Sequence, residues 1–461
     1  MNIFFLNPEY KIKGETNISP ELLAAIFARF SRKGEGLEGI ISDLEKTPRD
    51  KFEDRIWSFL DYGHASISEL TGVIPMGADK VSMLVPYLAF FVQPKQSGQE
   101  TSTRYVEFKK EGLAEPRDFG IPERFHQEWY ELMLEAFEIH QELTKRLDLL
   151  GKEKPELARI PDDASSKERE RMIRNFGFDR SRYFLPMSSL TNFGLEMSGR
   201  EWAQTLQYLD SFNFPEAREF SFLVRENLKA ILPRLLKHSF PSDRTLSFAS
   251  DFLERGAEYL REHGINSENL EDEVVVNVYQ PPRSPFIHPK LTNEEIVDLS
   301  FRGKKNRYDF AKGLPEKIFV NVQWNNIALA EARDLNRHRP CKKDTLLAPV
   351  GFYLPEISVE EMKRDSLWER SRKFLERRNY LMRNILSSEN PSSYIGCLLL
   401  GDQTPFEIST TSDHFAYISE LRTGRGAHFR YAEHLRKAYE QLKEIRPDIA
   451  KHIKLGLAEP E

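Results

Sequence analysis

The sequence predicts an α+β protein made of two related copies, each carrying short strands and long helices. Three observations lead there. The chain has 461 residues, long for one hydrophobic core and comfortable for two domains of about 200 residues each. Segments with helical spacing of apolar residues alternate with a few short apolar runs of strand length. The order of elements in the first half then recurs, shortened, in the second. SGREWAQTLQYLDSFNFPEAREF can be laid on TSDHFAYISELRTGRGAHFRY, with Ala217 falling on Ala427.

Composition narrows the class. A hydrophobic fraction of 40% and an aromatic fraction of 11% supply real cores. A net charge of -6, from 66 basic and 72 acidic residues, gives no field that would hold a polynucleotide along the chain. The two cysteines, Cys341 and Cys397, exclude a disulfide framework and a thiolate zinc site and leave open a lone catalytic thiol. No metal is expected. The start, MNIFFLNPEYKIKGE, has too short an apolar segment for a signal peptide, and no run of about 18 apolar residues occurs. A cytoplasmic protein without a membrane span is expected.

Taken in order, Ser19-Pro20 opens a helix running to Ser31, and 51–62 reads as a second, stopped by Gly63. The stretch Gly63 to Glu69, GHASISE, resembles a glycine cap followed by a helix start. Leu70–Met76 is strand-like, and 81–92, VSMLVPYLAFFV, must be buried. Pro122–Leu150 is a long amphipathic helix. KERERMIRNFGF within 151–179 reads as a solvated helix with a thin apolar face. A strand at Ser188–Met197 precedes helices at Arg200–Leu209 and Pro215–Leu236, and one more helix follows in 237–272. The domain boundary falls at the acidic stretch SENLEDE, giving copies 1–265 and 266–461. In the second copy a strand at Lys317–Val322 leads into a helix at Asn326–Asn336 that ends at Arg337-His338-Arg339-Pro340. A long charged helix spans Ser358–Leu386, a strand Pro405–Thr411, and helices Asp413–Arg422 and Gly426–Ile445.

Between Gln96 and Val106 the segment QSGQETSTRYV gathers hydroxyls, amides, a carboxylate and a guanidinium. Hydroxyls and Arg104 can bind phosphate oxygens, and Glu100 can accept from a ribose or ring group. The plainer reading is a polar turn leading into an edge strand at TRYVEF. For RHRP the plainer reading is a basic helix end, where cations favour the C-terminal dipole.

Together these segments resemble the flavin-dependent thymidylate synthases, whose members look like RHRxxSxNExSxRY preceded by GHxSxxEH, with later Arg-x-x-Leu-Pro and Leu-Arg-x-x-x-x-Ala segments. The first half has GHASISE at 63–69, SxQExSxRY at 97–105 and RYFLP at 182–186. Val92-Gln93-Pro94 stands in place of RHR, and the position of the late Arg falls near Leu209 or Phe212. The second half has RHR at 337–339 and LRTGRGA at 421–427, and lacks the other set. Three further departures stand at Asp334, where the family has Gln, at Lys342, where it has Ser, and at Ser198-Gly199-Arg200 or Thr411-Ser412-Asp413, where it has Asn-x-Arg.

The resemblance implies that each copy is a small antiparallel sheet flanked by long helices, and that a homodimer of the fused chain stands in for the family's tetramer. It implies reductive methylation of dUMP to dTMP with FAD, NADPH and methylenetetrahydrofolate, in a composite site drawn from both copies and without an enzyme nucleophile. Arg422 would be the catalytic group. Glu100, Ser102, Thr103, Arg104, Arg182 and Arg337 would bind substrate; Ser66, Glu100, Arg337, His338 and Arg339 would bind the flavin. The alternatives are a catalytically inactive nucleotide- or flavin-binding homologue and a flavoenzyme modifying another pyrimidine nucleotide.

Overall fold

The computed structural model describes residues 1–6, 10–12, 16–29, 36–61, 65–158, 160–284, 286 and 288–456. In chain order the elements are β1 (Asn2–Phe5), β2 (Tyr10–Ile12), β3 (Thr16–Ile18), α1 (Pro20–Arg29), α2 (Gly36–Lys46), α3 (Arg49–Asp61), β4 (Ile74–Ser82), α4 (Leu84–Val92), β5 (Ser97–Glu100), α5 (His126–Glu153), α6 (Ser166–Ser181), β6 (Leu190–Met197), α7 (Gly199–Ser211), α8 (Pro215–Leu228) and α9 (Asp243–His263). There follow β7 (Val274–Tyr279), α10 (Asn293–Phe301), β8 (Phe319–Ala328), α11 (Leu329–Asn336), β9 (Lys342–Thr345), β10 (Gly351–Phe352), α12 (Glu356–Met362), α13 (Leu367–Leu386), β11 (Asp402–Thr411), α14 (Ser412–Arg422), α15 (Phe429–Ile445) and α16 (Pro447–Ala450). They pack as two compact units. The first holds Met1–Thr101, Gly112–Gly120 and Ser188–Leu253; the second holds Ser102–Glu111, Ile121–Met187 and Glu254–Glu461.

The first unit is built on an antiparallel sheet of order β1-β4-β6-β5. Along β6, Thr191, Phe193, Leu195 and Met197 are buried while Asn192 and Glu196 face outward, the period-two pattern of a half-covered strand. Helix α4 is buried on every side from Leu84 to Phe90, as an apolar run with no polar stripe must be. Trp202 of α7 is fully buried and donates its indole N–H to the Ile74 carbonyl at 2.9 Å.

The second unit repeats that plan. Its antiparallel sheet has the order β10-β11-β8-β7, with β9 also on β11. In the first unit β4 runs into α4, β5 returns to pair with β6, and β6 leads into α7 and α8. In the second, β8 runs into α11, β9 returns to pair with β11, and β11 leads into α14 and α15. The central pair slips register in both, between Asp79 and Val81 in β4 and between Thr404 and Phe406 in β11, which bends a strand locally. The α+β class with two small antiparallel sheets and long helices is the one expected. The second core joins Val320, Val322 and Trp324 of β8 to Phe406 and Ile408 of β11, covered by Phe415, Leu435 and Leu442. Helix α5 packs on α6 and α13, and Trp129 anchors it through an indole N–H to the Gly396 carbonyl at 2.9 Å.

Several element boundaries differ from the sequence reading. Ala65–Thr71 is a 3-10 helix, so the strand expected from Leu70 begins at Ile74. No strand forms at TRYVEF; the Ser102 carbonyl accepts the N–H groups of Tyr105 and Val106, and its hydroxyl accepts that of Arg104, closing a turn. Helix α8 stops at Leu228 rather than Leu236, five residues before Pro233, which disfavours continuation. The helix expected over 358–386 is two, α12 and α13, separated where Asp365 Oδ1 accepts the Leu367 N–H. Strand β8 runs to Ala328, which delays α11 to Leu329. Strand β7, VVVNVY, was not anticipated despite its β-branched alternation. Gly63, His64 and Tyr62 lie outside the described residues, as do positions 30 and 31 at the end of the first expected helix.

Candidate functional site

In the second unit, one face of α11 presents Glu331, Asp334 and, just past its end, Arg337, spaced by three residues so that all three share a side. Arg182 follows α6 in a short 3-10 turn. It is 1% exposed, and its Nη2 donates to Glu331 Oε1 at 2.7 Å while Nη1 donates to Asp334 Oδ2 at 3.2 Å. Tyr183 adds its hydroxyl to Glu331 Oε1 at 3.0 Å. Arg337 Nη2 donates to the other oxygen of Asp334. Asp334 is therefore the hub. Burial opposes its ionisation, but Arg337, Arg182, Arg422 and Arg333 outweigh that cost and hold its pKa well below the usual carboxylate range. Glu331 goes the other way: burial raises it, and Arg182 only partly offsets the effect.

Arg422 closes the far side of this network. Its Nε donates to His338 Nε2 at 2.7 Å and its Nη2 donates to the Asp334 carbonyl at 2.8 Å. Its guanidinium carbon stands 5.1 Å from the centroid of the Tyr431 ring. An imidazole that accepts from a guanidinium must be neutral at that nitrogen, and burial followed by Arg422 pushes the His338 pKa well below its ordinary value. The remaining terminal nitrogen of Arg422, Nη1, makes no hydrogen bond among the described residues.

Arg104 joins from the turn after β5. It grips Asp179 with two bonds, Nε to Oδ1 at 2.7 Å and Nη2 to Oδ2 at 2.8 Å, and Nη1 reaches the Gly426 carbonyl at 3.3 Å and the Tyr431 hydroxyl at 3.4 Å. Burial works against its charge and Asp179 outweighs it, so the pKa is raised. His428 links the two parts. Its Nε2–H donates to the Asp179 carbonyl at 3.1 Å and its Nδ1 accepts the Arg430 N–H at 3.2 Å, which fixes the neutral tautomer. Ser102 is half-buried and Thr103 buried beside Arg104. Arg339 is exposed.

Of the residues singled out in the sequence, the second unit thus brings Arg104, Arg182, Arg337, His338 and Arg422 into one network of ion pairs and hydrogen bonds, with Ser102, Thr103 and Arg339 as chain neighbours. Ser66 and Glu100 are parts of the first unit: Ser66 is exposed in the 3-10 turn, and Glu100 is buried at the end of β5 opposite Phe193. The carboxylates Asp179 and Glu331 and the ring of Tyr431 were missed. A Glu-x-x-Asp-x-x-Arg spacing over 331–337 was the available signal for the first two turns of that face. Neither cysteine can serve as a thiolate near neutral pH, because burial pushes Cys341 up to about 11 and Cys397 up to about 12. No helix among the described residues is long and apolar enough to cross a membrane.

Residues 15–234, just under half of the chain, match the family model of the thymidylate synthase complementing protein. Across a longer span the chain is similar to a UPF0159 protein of Thermoplasma acidophilum, 22% identical over 442 residues, covering 86% of this chain and 87% of that protein. UPF0159 proteins of Chlamydia pneumoniae and Chlamydia muridarum are each 22% identical. Those alignments cover 70% and 73% of this chain and 64% and 66% of the relatives' own length. Their names state no activity.

Proposed function

We propose that this chain is a flavin-dependent thymidylate synthase that converts dUMP to dTMP with methylenetetrahydrofolate as one-carbon donor and NADPH as reductant, in the cytoplasm. The supporting observation is that Arg104 and Arg182, from the half that keeps the ExSxR and RxxLP segments, meet Arg337, His338 and Arg422, from the half that keeps RHR, in a single unit of one chain. On this reading the copies 1–265 and 266–461 are products of a duplication that divided the motif between them, and two chains form the working homodimer.

Arg422 is the group we assign to catalysis. A one-carbon unit can be added at carbon 5 of uracil only when electron density is raised there, and a guanidinium beside the ring nitrogen and carbonyl stabilises the ionised ring. His338 and the Asp334 carbonyl hold that guanidinium at two of its nitrogens and leave Nη1 to the ring. Arg104, with Ser102 and Thr103, is the group we assign to the nucleotide phosphate, which would take Nη1 from its long contacts with the Gly426 carbonyl and the Tyr431 hydroxyl while Asp179 keeps Nε and Nη2. Arg182, with both terminal nitrogens on carboxylates and no exposure, acts as a positioning residue for Asp334 and Glu331; a phosphate at Arg182 would have to displace one of them.

The donor set fits a flavin dinucleotide at its pyrophosphate. Arg337 spends one terminal nitrogen on Asp334 and keeps a quarter of its side chain exposed, and Arg339 is exposed beside it. These two are the residues we assign to it; His338 serves it indirectly, being committed to Arg422. The flavin supplies the hydride transfer, which no side chain here can perform.

Release of tritium from [5-³H]dUMP tests the reading. Wild-type protein should release it when given flavin, NADPH and the folate, and Arg422→Ala should lower the rate by about 100-fold or more. A wild-type protein that binds flavin yet releases no tritium would favour the second reading, a binding homologue without activity. The observation behind that alternative is the carboxylate of Asp334, placed where the family has an amide and neutralising Arg182 and Arg337.

A further inference from the structure

The first copy's counterparts of the motif positions also converge, within the first unit. Helix α4 ends at Val92 as α11 ends at Asn336, so the Val92-Gln93-Pro94 segment that stands in place of RHR lies at the end of the first helix as Arg337 to Arg339 lie at the end of the second. A cavity of about 270 Å³ opens beside Gln93 and Lys95, and its wall includes Glu69, Arg200, Tyr208 and Arg244. Each belongs to a stretch singled out in the sequence or packed against it: Glu69 ends GHASISE, Arg200 occupies the Asn-x-Arg position, and Tyr208 adjoins the place of the late Arg. The RHR residues and the late Arg are absent from this half, Glu69 of GHASISE and Arg200 are kept, and a cavity lies among these positions.

We propose that this cavity is a second ligand site, selective for a small phosphate-bearing molecule and separate from the Arg422 network. Lys95 and Arg200 share one carboxylate, Glu69 Oε1, at 3.7 and 2.6 Å. The other carboxylate in the wall, Glu201, is committed to the start of α7, where it accepts from the Ser198 N–H at 3.2 Å and from the Ser198 hydroxyl. Arg244 donates to a neutral group, the Tyr208 hydroxyl, at 2.6 Å and forms no ion pair among the described residues. The wall therefore carries three cations, Lys95, Arg200 and Arg244, against two carboxylates, Glu69 and Glu201, and a phosphate monoester meets the excess positive charge with charge-assisted bonds. The Tyr208 ring and the Gln93 and Gln204 amides give a face and polar edges for a planar group. At about 270 Å³ the space is at the small end of ligand pockets, suited to a mononucleotide or less.

The proposal rests on the charge and shape of this wall and not on catalytic activity. Calorimetric titration with inorganic phosphate and, separately, with dUMP tests it on the full chain. Arg244→Ala should weaken phosphate binding roughly tenfold or more, the size of one charge-assisted bond, and Arg200→Gln should weaken it in the same direction. Arg422→Ala should leave this site intact. Tighter binding of dUMP than of phosphate would assign the ligand as a nucleotide, and equal affinity would assign it as the free anion. Binding unchanged in both Arg244→Ala and Arg200→Gln, or lost altogether in Arg422→Ala, overturns the proposal. If dUMP is not turned over but Arg244-dependent binding persists, the catalytic reading fails and this one stands.

Discussion

Arg182 shows how a residue that reads as a ligand binder can carry structure instead. A guanidinium that is 1% exposed and bonded to two carboxylates has exchanged its hydration for those partners. Removing it leaves Glu331 and Asp334 buried without their shared cation, so Arg182→Ala should destabilise the second unit by about 3–5 kcal/mol in urea unfolding, the usual cost of breaking a buried pair from one side. Asp334 and Glu331 should then be separable by pH. Asp334 has its folded pKa depressed below the unfolded value of about 3.9, so its stabilisation is complete above about pH 4 and is lost as pH falls through the folded value. Glu331 has its pKa raised by burial, so it favours folding most below its unfolded value of about 4.3 and opposes folding as pH rises through the folded one. Asp334→Asn should flatten the acid limb of a stability-against-pH curve, whereas Glu331→Gln should flatten the limb above it. The same curve for both variants would mean that the two carboxylates titrate as one.

At the level of elements, α11 links packing to the site. Its buried side joins the core through Ala332 and Leu335, while Glu331 and Asp334 on the adjoining side face Arg182. Lys343, on β9, donates its ammonium to the Asn336 carbonyl, the last residue of that helix, immediately before Arg337, His338 and Arg339. Cations suit helix C-termini because carbonyls there lack intrahelical partners. Lys343→Met should cost about 1.5–3 kcal/mol of stability and should loosen the hold on Arg422 through His338, read as a raised KM for dUMP; an unchanged KM would show that the RHR segment is held by other contacts. Elements of this kind were legible where periodicity was strong, as in α5 and β6, and the RHR and ExSxR segments stood out through the family resemblance, since each alone reads as a helix end or a polar turn. The boundaries that shifted, at α8, α12 and β8, depended on a proline five residues on, a local side-chain cap and sheet pairing. The partner Asp179 was not legible, because nothing local tells an arginine which distant carboxylate it will meet, and the spacing of Glu331 with Asp334 and Arg337 marks a shared helix face without telling that Arg182 packs on it.

For the molecule as a whole, the repeated connectivity of the two sheets gives physical form to the faint self-similarity in the sequence: strand, helix, returning strand, then strand and two helices, with a register slip in each central pair. Sequence alone left open whether the divided motif is completed within a chain or between chains. The second unit contains Arg104 and Arg182 of one half and Arg337, His338 and Arg422 of the other, while Ser66 and Glu100 belong to the first unit. Arg104 Nη1 lies 3.4 Å from the Tyr431 hydroxyl, and the Arg422 guanidinium stands 5.1 Å from the centroid of the same ring, within one chain. If that is the working arrangement, a chain lacking Arg104 and a chain lacking Arg422 each have an incomplete site, and neither can lend its intact residue to the other. Arg104→Ala and Arg422→Ala should therefore each lower dUMP turnover sharply, and mixing the two proteins under conditions that exchange subunits should restore nothing. Recovery towards a quarter or a half of wild-type turnover in the mixture would show instead that the site is assembled across chains.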